Sequence, residues 1–240
     1  MIEASYNNFK EFSELAKSDI KTSQKIGFDE LTRNASVDQI LFNDMIYKVN
    51  YLLESNLSNC NILDIGCGCS YFTNYLIKYS ALNNNNLYLV DSEEMLSNIN
   101  TQYDKVIKIP AKFPISTHNS LMNNIVGKVD LLILNSVIHH VFLENNLMTF
   151  IESAIKYLDC FGVIYIGDIP NASMQNRQLD NYHEDDFKRH RILGDMRIND
   201  SIIVSLLSYF RGLGFNAYIM PKPHSYKFSN SREDLIITKI

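Results

Sequence analysis

Asn61-Ile62-Leu63-Asp64-Ile65-Gly66-Cys67-Gly68-Cys69-Ser70 is the stretch on which the fold turns. A short apolar run stops at a glycine, a second glycine follows one residue later, and Ser70 can cap a helix through Tyr71, Tyr75 and Leu76. That is strand, tight turn, helix. The same rhythm continues downstream. Leu87 to Val90 reads as a second strand stopping at Asp91, with Ser92 as a cap before Glu93 and Glu94. Val106 to Ile109 is a third strand, and Val129 to Leu134 is a fourth, apolar almost throughout, as a strand covered on both faces must be. A helical pattern over 144–159 leads to a fifth strand, Gly162 to Asp168, and another helix runs from Asp200 to Gly212. Phe215 to Met220 and Leu235 to Ile240 close the chain as an antiparallel pair. Strands alternating with helices predict an α/β fold: seven strands, mostly parallel, with helices on both faces.

Upstream of the first strand, residues 1–57 read as a helical extension. Phe9, Phe12, Leu15 and Ala16 recur at helical spacing, as do Ile40, Leu41, Met45, Val49 and Leu52. Residues 58–240 then form the single α/β domain. Asn83 to Asn86 is a polar turn, and the polar interval 171–199 is long for a connection and reads as a lid-like insertion.

With 240 residues, 46% hydrophobic and 20% charged, the chain can bury a core and is not a disordered tail. Its net charge of −5 gives no whole-chain footprint for nucleic acid. No run reaches the roughly 18 apolar residues of a membrane span, and the N-terminus lacks the apolar block of a signal peptide. Four cysteines are too few for a disulfide scaffold and read as thiols of a cytoplasmic protein. Cys67 and Cys69 with His139 and His140 match no common zinc spacing, so no metal is expected.

In an open parallel sheet, ligands bind beyond the carboxyl ends of the strands. Gly66 and Gly68 let the backbone turn and approach a ligand closely. Asp91 stands where an acid can accept hydrogen bonds from both hydroxyls of a ribose. A dinucleotide site would want a third glycine at 71, where this chain has Tyr71, and Asp64 would repel a pyrophosphate. The turn suits a cationic ligand better than nicotinamide dinucleotide.

Asp64-x-Gly66-x-Gly68 followed by Ser70 resembles the first motif of class I S-adenosylmethionine-dependent methyltransferases, with Ser70 in the final glycine place. Val90-Asp91-Ser92 resembles the second motif, and Ala111-Lys112-Phe113 sits where the family flanks the adenine, Lys112 standing in place of its usual acid. Val129 to His140 resembles the fourth-strand motif of small-molecule members, and the final strand pair their closing hairpin. Ile166 to Asn171 and Asn230 to Ile236 also resemble methyltransferases of bacterial surface-polysaccharide clusters. The resemblance implies a Rossmann-like fold with S-adenosylmethionine as cofactor and S-adenosylhomocysteine as product. It implies that Asp64, Gly66, Cys67, Gly68, Asp91, Ser92, Ala111, Lys112, Phe113 and Asn135 hold that cofactor.

Methyl transfer from a sulfonium is an in-line displacement that mainly needs the nucleophile placed. An alcohol acceptor also needs a base. His139, His140 and Asp168 are the candidates at the ends of strands four and five; an ordinary histidine titrates near pH 6.5, so its neutral form is available. Tyr182, His183 and Arg189 in the insertion, and His224 and Tyr226 before the last strand, are candidates for the acceptor. The basic run around Arg189 would suit a phosphorylated or nucleotide-linked small molecule.

Overall fold

β-Branched and leucine-rich runs become strands here because a sheet with helices on both faces leaves them no wet side. The computed structural model describes residues 10, 13, 14, 17, 35–53, 56–114, 120–144, 146–175, 198–226 and 228–239. In chain order these form α1 (Ala35–Leu53), β1 (Asn61–Ile65), α2 (Tyr71–Leu82), β2 (Asn86–Asp91), α3 (Glu93–Ser97), β3 (Val106–Pro110) and α4 (Ser120–Asn123). There follow β4 (Val129–Asn135), α5 (Ile138–Leu143), α6 (Leu147–Ile155), β5 (Leu158–Pro170), α7 (Ala172–Gln175), α8 (Asp200–Gly212), β6 (Phe215–Pro221) and β7 (Arg232–Lys239).

The strands make one seven-stranded sheet in the order β3-β2-β1-β4-β5-β7-β6. Only β7 runs against its neighbours, pairing antiparallel with both β5 and β6. β4 shows why its sequence has no alternation. Leu132 and Leu134 face one core and Leu131 and Ile133 the other, each at most 1% exposed.

α1 covers the same face as α2. Leu41, Met45 and Val49 bury completely, and Phe42 meets the rings of Phe72, Tyr75 and Tyr79 at 5.8, 6.1 and 5.9 Å. Two expectations shift. The helix read over 144–159 is shorter, α6 alone, with the unexpected α5 ahead of it, and β5 starts at Leu158 instead of Gly162, because Leu158 already pairs with Val129 on β4. Most of the insertion, 176–197, lies outside the described residues, as does most of 1–34. Among the described residues no helix is long and apolar enough to cross a membrane.

Candidate active site

β1 and β4 are adjacent, and the chain leaves them in opposite directions across the sheet. That makes the space beyond their carboxyl ends the switch point where ligands bind. On the β1 side the turn is fixed by backbone geometry. Gly66 sits at φ +72° and its amide donates to the Val90 carbonyl at 2.8 Å; the Thr73 hydroxyl donates to the Cys67 carbonyl at 2.6 Å. A β-carbon on Gly66 would come 2.7 Å from Val137 Cγ2, whereas one on Gly68, at φ +59°, would meet nothing within 4 Å. The first glycine therefore serves packing, and the second leaves backbone open to a ligand. Gly66→Ala should cost about 1–2 kcal/mol from the left-handed backbone alone, plus the clash. Adding Val137→Ala should return only the clash, and urea unfolding of the two variants measures the difference.

Two carboxylates flank the turn. Asp91 Oδ2 accepts from the Gly68 amide at 2.8 Å and Oδ1 from the Ser92 amide at 2.7 Å. Burial raises its carboxyl above the ordinary range, against the pull of those two amides. Asp64 is 2% exposed, and its Oδ2 has no hydrogen-bond partner among the described residues. Burial, and then the Asp91 charge, push its carboxyl up to about 8. At the end of β4, Asn135 Oδ1 is likewise buried without a partner among the described residues. Unsatisfied buried acceptors on both neighbouring strand ends are what a donor-bearing ligand would complete. These residues fit a cationic nucleoside.

The other expected cofactor residues divide. Ala111 donates its amide to the Asp91 carbonyl at 2.9 Å, placing the end of β3 beside the acid. Lys112 bridges to Glu144 at 3.0 Å. Ser92 accepts from the Met95 amide and caps α3. The Phe113 ring turns into the core against Phe150, 5.0 Å between centroids. Cys67 is buried, and burial followed by Asp91 and Asp64 holds its thiol well above the usual range, in the unreactive form.

On the acceptor side, His139 and His140 open α5 with ring centroids 4.0 Å apart, His139 buried and His140 half-buried. Asp168 is fully buried at φ +60°. Its Oδ2 accepts from the Ser136 hydroxyl at 2.6 Å and from Arg232 at 3.0 Å; Oδ1 accepts from the Tyr226 hydroxyl at 3.0 Å. Three donors leave this carboxylate a brace between β4, β5 and the β6–β7 loop. Tyr226 is buried in that brace and His224 is exposed. Tyr182, His183 and Arg189 lie outside the described residues.

Sequence reading missed what lies beneath the brace. Lys48 donates to Asp44 at 2.5 Å, to the Pro221 carbonyl at 2.6 Å and to Asp234 Oδ2 at 2.7 Å. Lys222 reaches Asp234 Oδ1 at 2.6 Å, which also accepts from the Asp168 amide at 2.9 Å. The available signal was position: Asp38 and Lys48 lie on the same helical face as Leu41 and Met45, where a lone charge must find a buried partner.

Residues 56–201 match the family model described as a methyltransferase domain, which is more than half of the chain, and the chain belongs to that family. Its sheet has the Rossmann-like methyltransferase fold. Among solved structures it resembles the plantazolicin methyltransferase BpumL in complex with SAH, at TM-score 0.66 and 16% identity over 99% of this chain and 96% of that one. It also resembles the CurJ carbon methyltransferase, at TM-score 0.64 and 13% identity over 93% of this chain and 59% of that one. The methyltransferase domain of bacterial CtHen1-C follows at TM-score 0.56 and 14% identity, covering 85% and 98%. Identities this low speak for the fold alone. Comparison with curated proteins finds no match.

Proposed function

We propose that this methyltransferase takes its methyl group from S-adenosylmethionine and gives it to a small polar acceptor, an oxygen on a surface-polysaccharide building block. The carrying observation for the cofactor is Asp64, a buried carboxyl with an unpartnered oxygen beside an open glycine turn. A buried acid in that state is costly to ionise unless an opposite charge arrives. BpumL, the neighbour solved with S-adenosylhomocysteine, supports the same reading. The oxygen acceptor rests on the resemblance at 166–171 and 230–236. Residues 1–57 would be a helical extension and 58–240 the methyltransferase domain, working in the cytoplasm.

When bound, the cofactor supplies a methyl carbon already activated by its sulfonium. Asp64 and Asn135 would offer it acceptor oxygens, Asp91 would take ribose hydroxyls, and the backbone at Gly68 would line its approach. His139 or His140 would hold the acceptor hydroxyl and take its proton as the bond forms. Asp168, with both oxygens engaged, would orient that wall by fixing Ser136 at the end of β4.

Calorimetry tests the cofactor: S-adenosylhomocysteine should bind and NAD should not, and the reverse overturns the reading. In a screen of hydroxyl and amine acceptors, His139→Asn and His140→Asn separate the bases. A drop of about 100-fold in kcat, within the usual range for a lost general base, is expected in one of them. Unchanged turnover in both removes the base role and favours an amine acceptor, which needs less help.

A further inference from the structure

The switch-point crevice shares three features with sites that bind phosphorylated dinucleotides: a glycine turn, an acid ending β2 and a helix starting just after the turn. The last of these is ordinarily receptive to anions, because its first amides are unpaired and the helix dipole points its positive end at the ligand. In this protein one of those amides is already taken by the chain itself. The Phe72 amide, in the first turn of α2, donates to Asp38 Oδ2 at 3.0 Å and to Ser70 Oγ at 3.2 Å.

Ser70 is a local cap. Asp38 comes from α1, thirty-four residues earlier, and its carboxylate is only 1% exposed. Nothing in the capping of a helix demands this second acceptor, since Ser70 alone satisfies the amide. The reach is held by packing: the Tyr75 hydroxyl donates to the Ala35 carbonyl at 3.1 Å, and Phe42 seats α1 against Phe72. With Asp64 and Asp91 this gives three carboxyl groups around one turn, and Asp64 Oδ2 has no partner among the described residues. That second fact independently points to a hydrogen-bond donor in the ligand.

We infer that Asp38 is a specificity-determining residue: it occupies the anion-receptive start of α2 and makes the crevice reject phosphate-bearing nucleotides while accepting an uncharged or cationic nucleoside. A phosphate brought to the turn would meet a carboxylate at the point where a dinucleotide site offers free amides. The inference rests on the proposed cofactor, and the test separates the two.

The probes are adenosine and ADP, which differ only in phosphate, and S-adenosylhomocysteine, all titrated into the full chain. The wild type should bind ADP at least tenfold more weakly than adenosine. Asp38→Asn keeps an oxygen on the Phe72 amide and loses the charge, so the ratio should fall to about threefold or less, with S-adenosylhomocysteine still bound. Ser70→Ala removes a cap without touching charge and should leave the ratio where the wild type has it. An unchanged ratio in Asp38→Asn overturns the assignment, and so does a wild type that binds ADP and adenosine alike. If S-adenosylhomocysteine fails to bind the wild type, the cofactor reading falls and takes this one with it.

Discussion

Asp234→Ala should lose about 3–5 kcal/mol of stability in urea unfolding, the range for breaking a buried ion pair by removing one partner. Asp234 is fully buried and anchors two lysines that are buried as well, Lys48 at 2.7 Å and Lys222 at 2.6 Å. Lys48 keeps Asp44 and the Pro221 carbonyl after the change. Among the described residues Lys222 keeps the Tyr165 hydroxyl at 3.3 Å, the faces of Tyr165 and Tyr226, each 5.9 Å away, and the Asp44 charge beyond direct contact. Such contacts do not replace a carboxylate for a charge with no water. The double variant Lys222→Met with Asp234→Ala should therefore be more stable than Asp234→Ala alone, because the stranded charge goes with its partner. A single variant within 1 kcal/mol of the wild type would show that water reaches this cluster and that its burial carries little energy. The effect should also extend to the site. Asp234 Oδ1 accepts from the Asp168 amide, and both Asp168 and Ser136, which it braces, have left-handed backbones at φ +60° and +59°. Strained residues hold such conformations only while their surroundings enforce them.

What the sequence made legible follows from which contacts are local. β1, the glycine turn, the cap at Ser70 and the acid ending β2 are set within a few residues, and their spacing carried the fold and the meeting of Gly68 with Asp91. Seven strands and the reversed β7 were legible for the same reason, since apolar runs and their separators announce themselves. The brace on Asp168 was not. It joins β4, β5, the β6–β7 loop and β7, through partners 32, 58 and 64 residues apart, and no periodicity links such residues. Asp168 therefore read as a base in sequence, whereas in space its oxygens are occupied. α5 was hidden differently. Val137 to Leu143 continues the apolar run of β4, and the left-handed turn at Ser136 that ends the strand has no glycine to mark it.

Binding of S-adenosylmethionine at pH 7 should release close to one proton from the wild type and none from Asp64→Asn. The Asp64 carboxyl is pushed up to about 8 by burial and then by the Asp91 charge, so at pH 7 the ligand-free protein holds it protonated. A cationic ligand favours the carboxylate and pulls that value down, so the bound state carries fewer protons. Affinity must then rise with pH, by up to about tenfold per unit between pH 6 and 7.5. The stability of the ligand-free chain moves the opposite way. Its raised carboxyl favours the fold below the unfolded value of 3.8, and that contribution is lost as pH rises towards 8. Asparagine copies the protonated acid in shape and charge, so Asp64→Asn should flatten both profiles and keep the weak affinity of low pH throughout. Asp91→Ala should bind at least tenfold more weakly, yet with part of the proton release preserved, because burial alone still raises Asp64. Calorimetry in two buffers of different ionisation enthalpy reads the proton count directly. A wild type that releases none, or an Asp64→Asn variant with the wild-type slope, would remove Asp64 as the partner of the cofactor's positive charge.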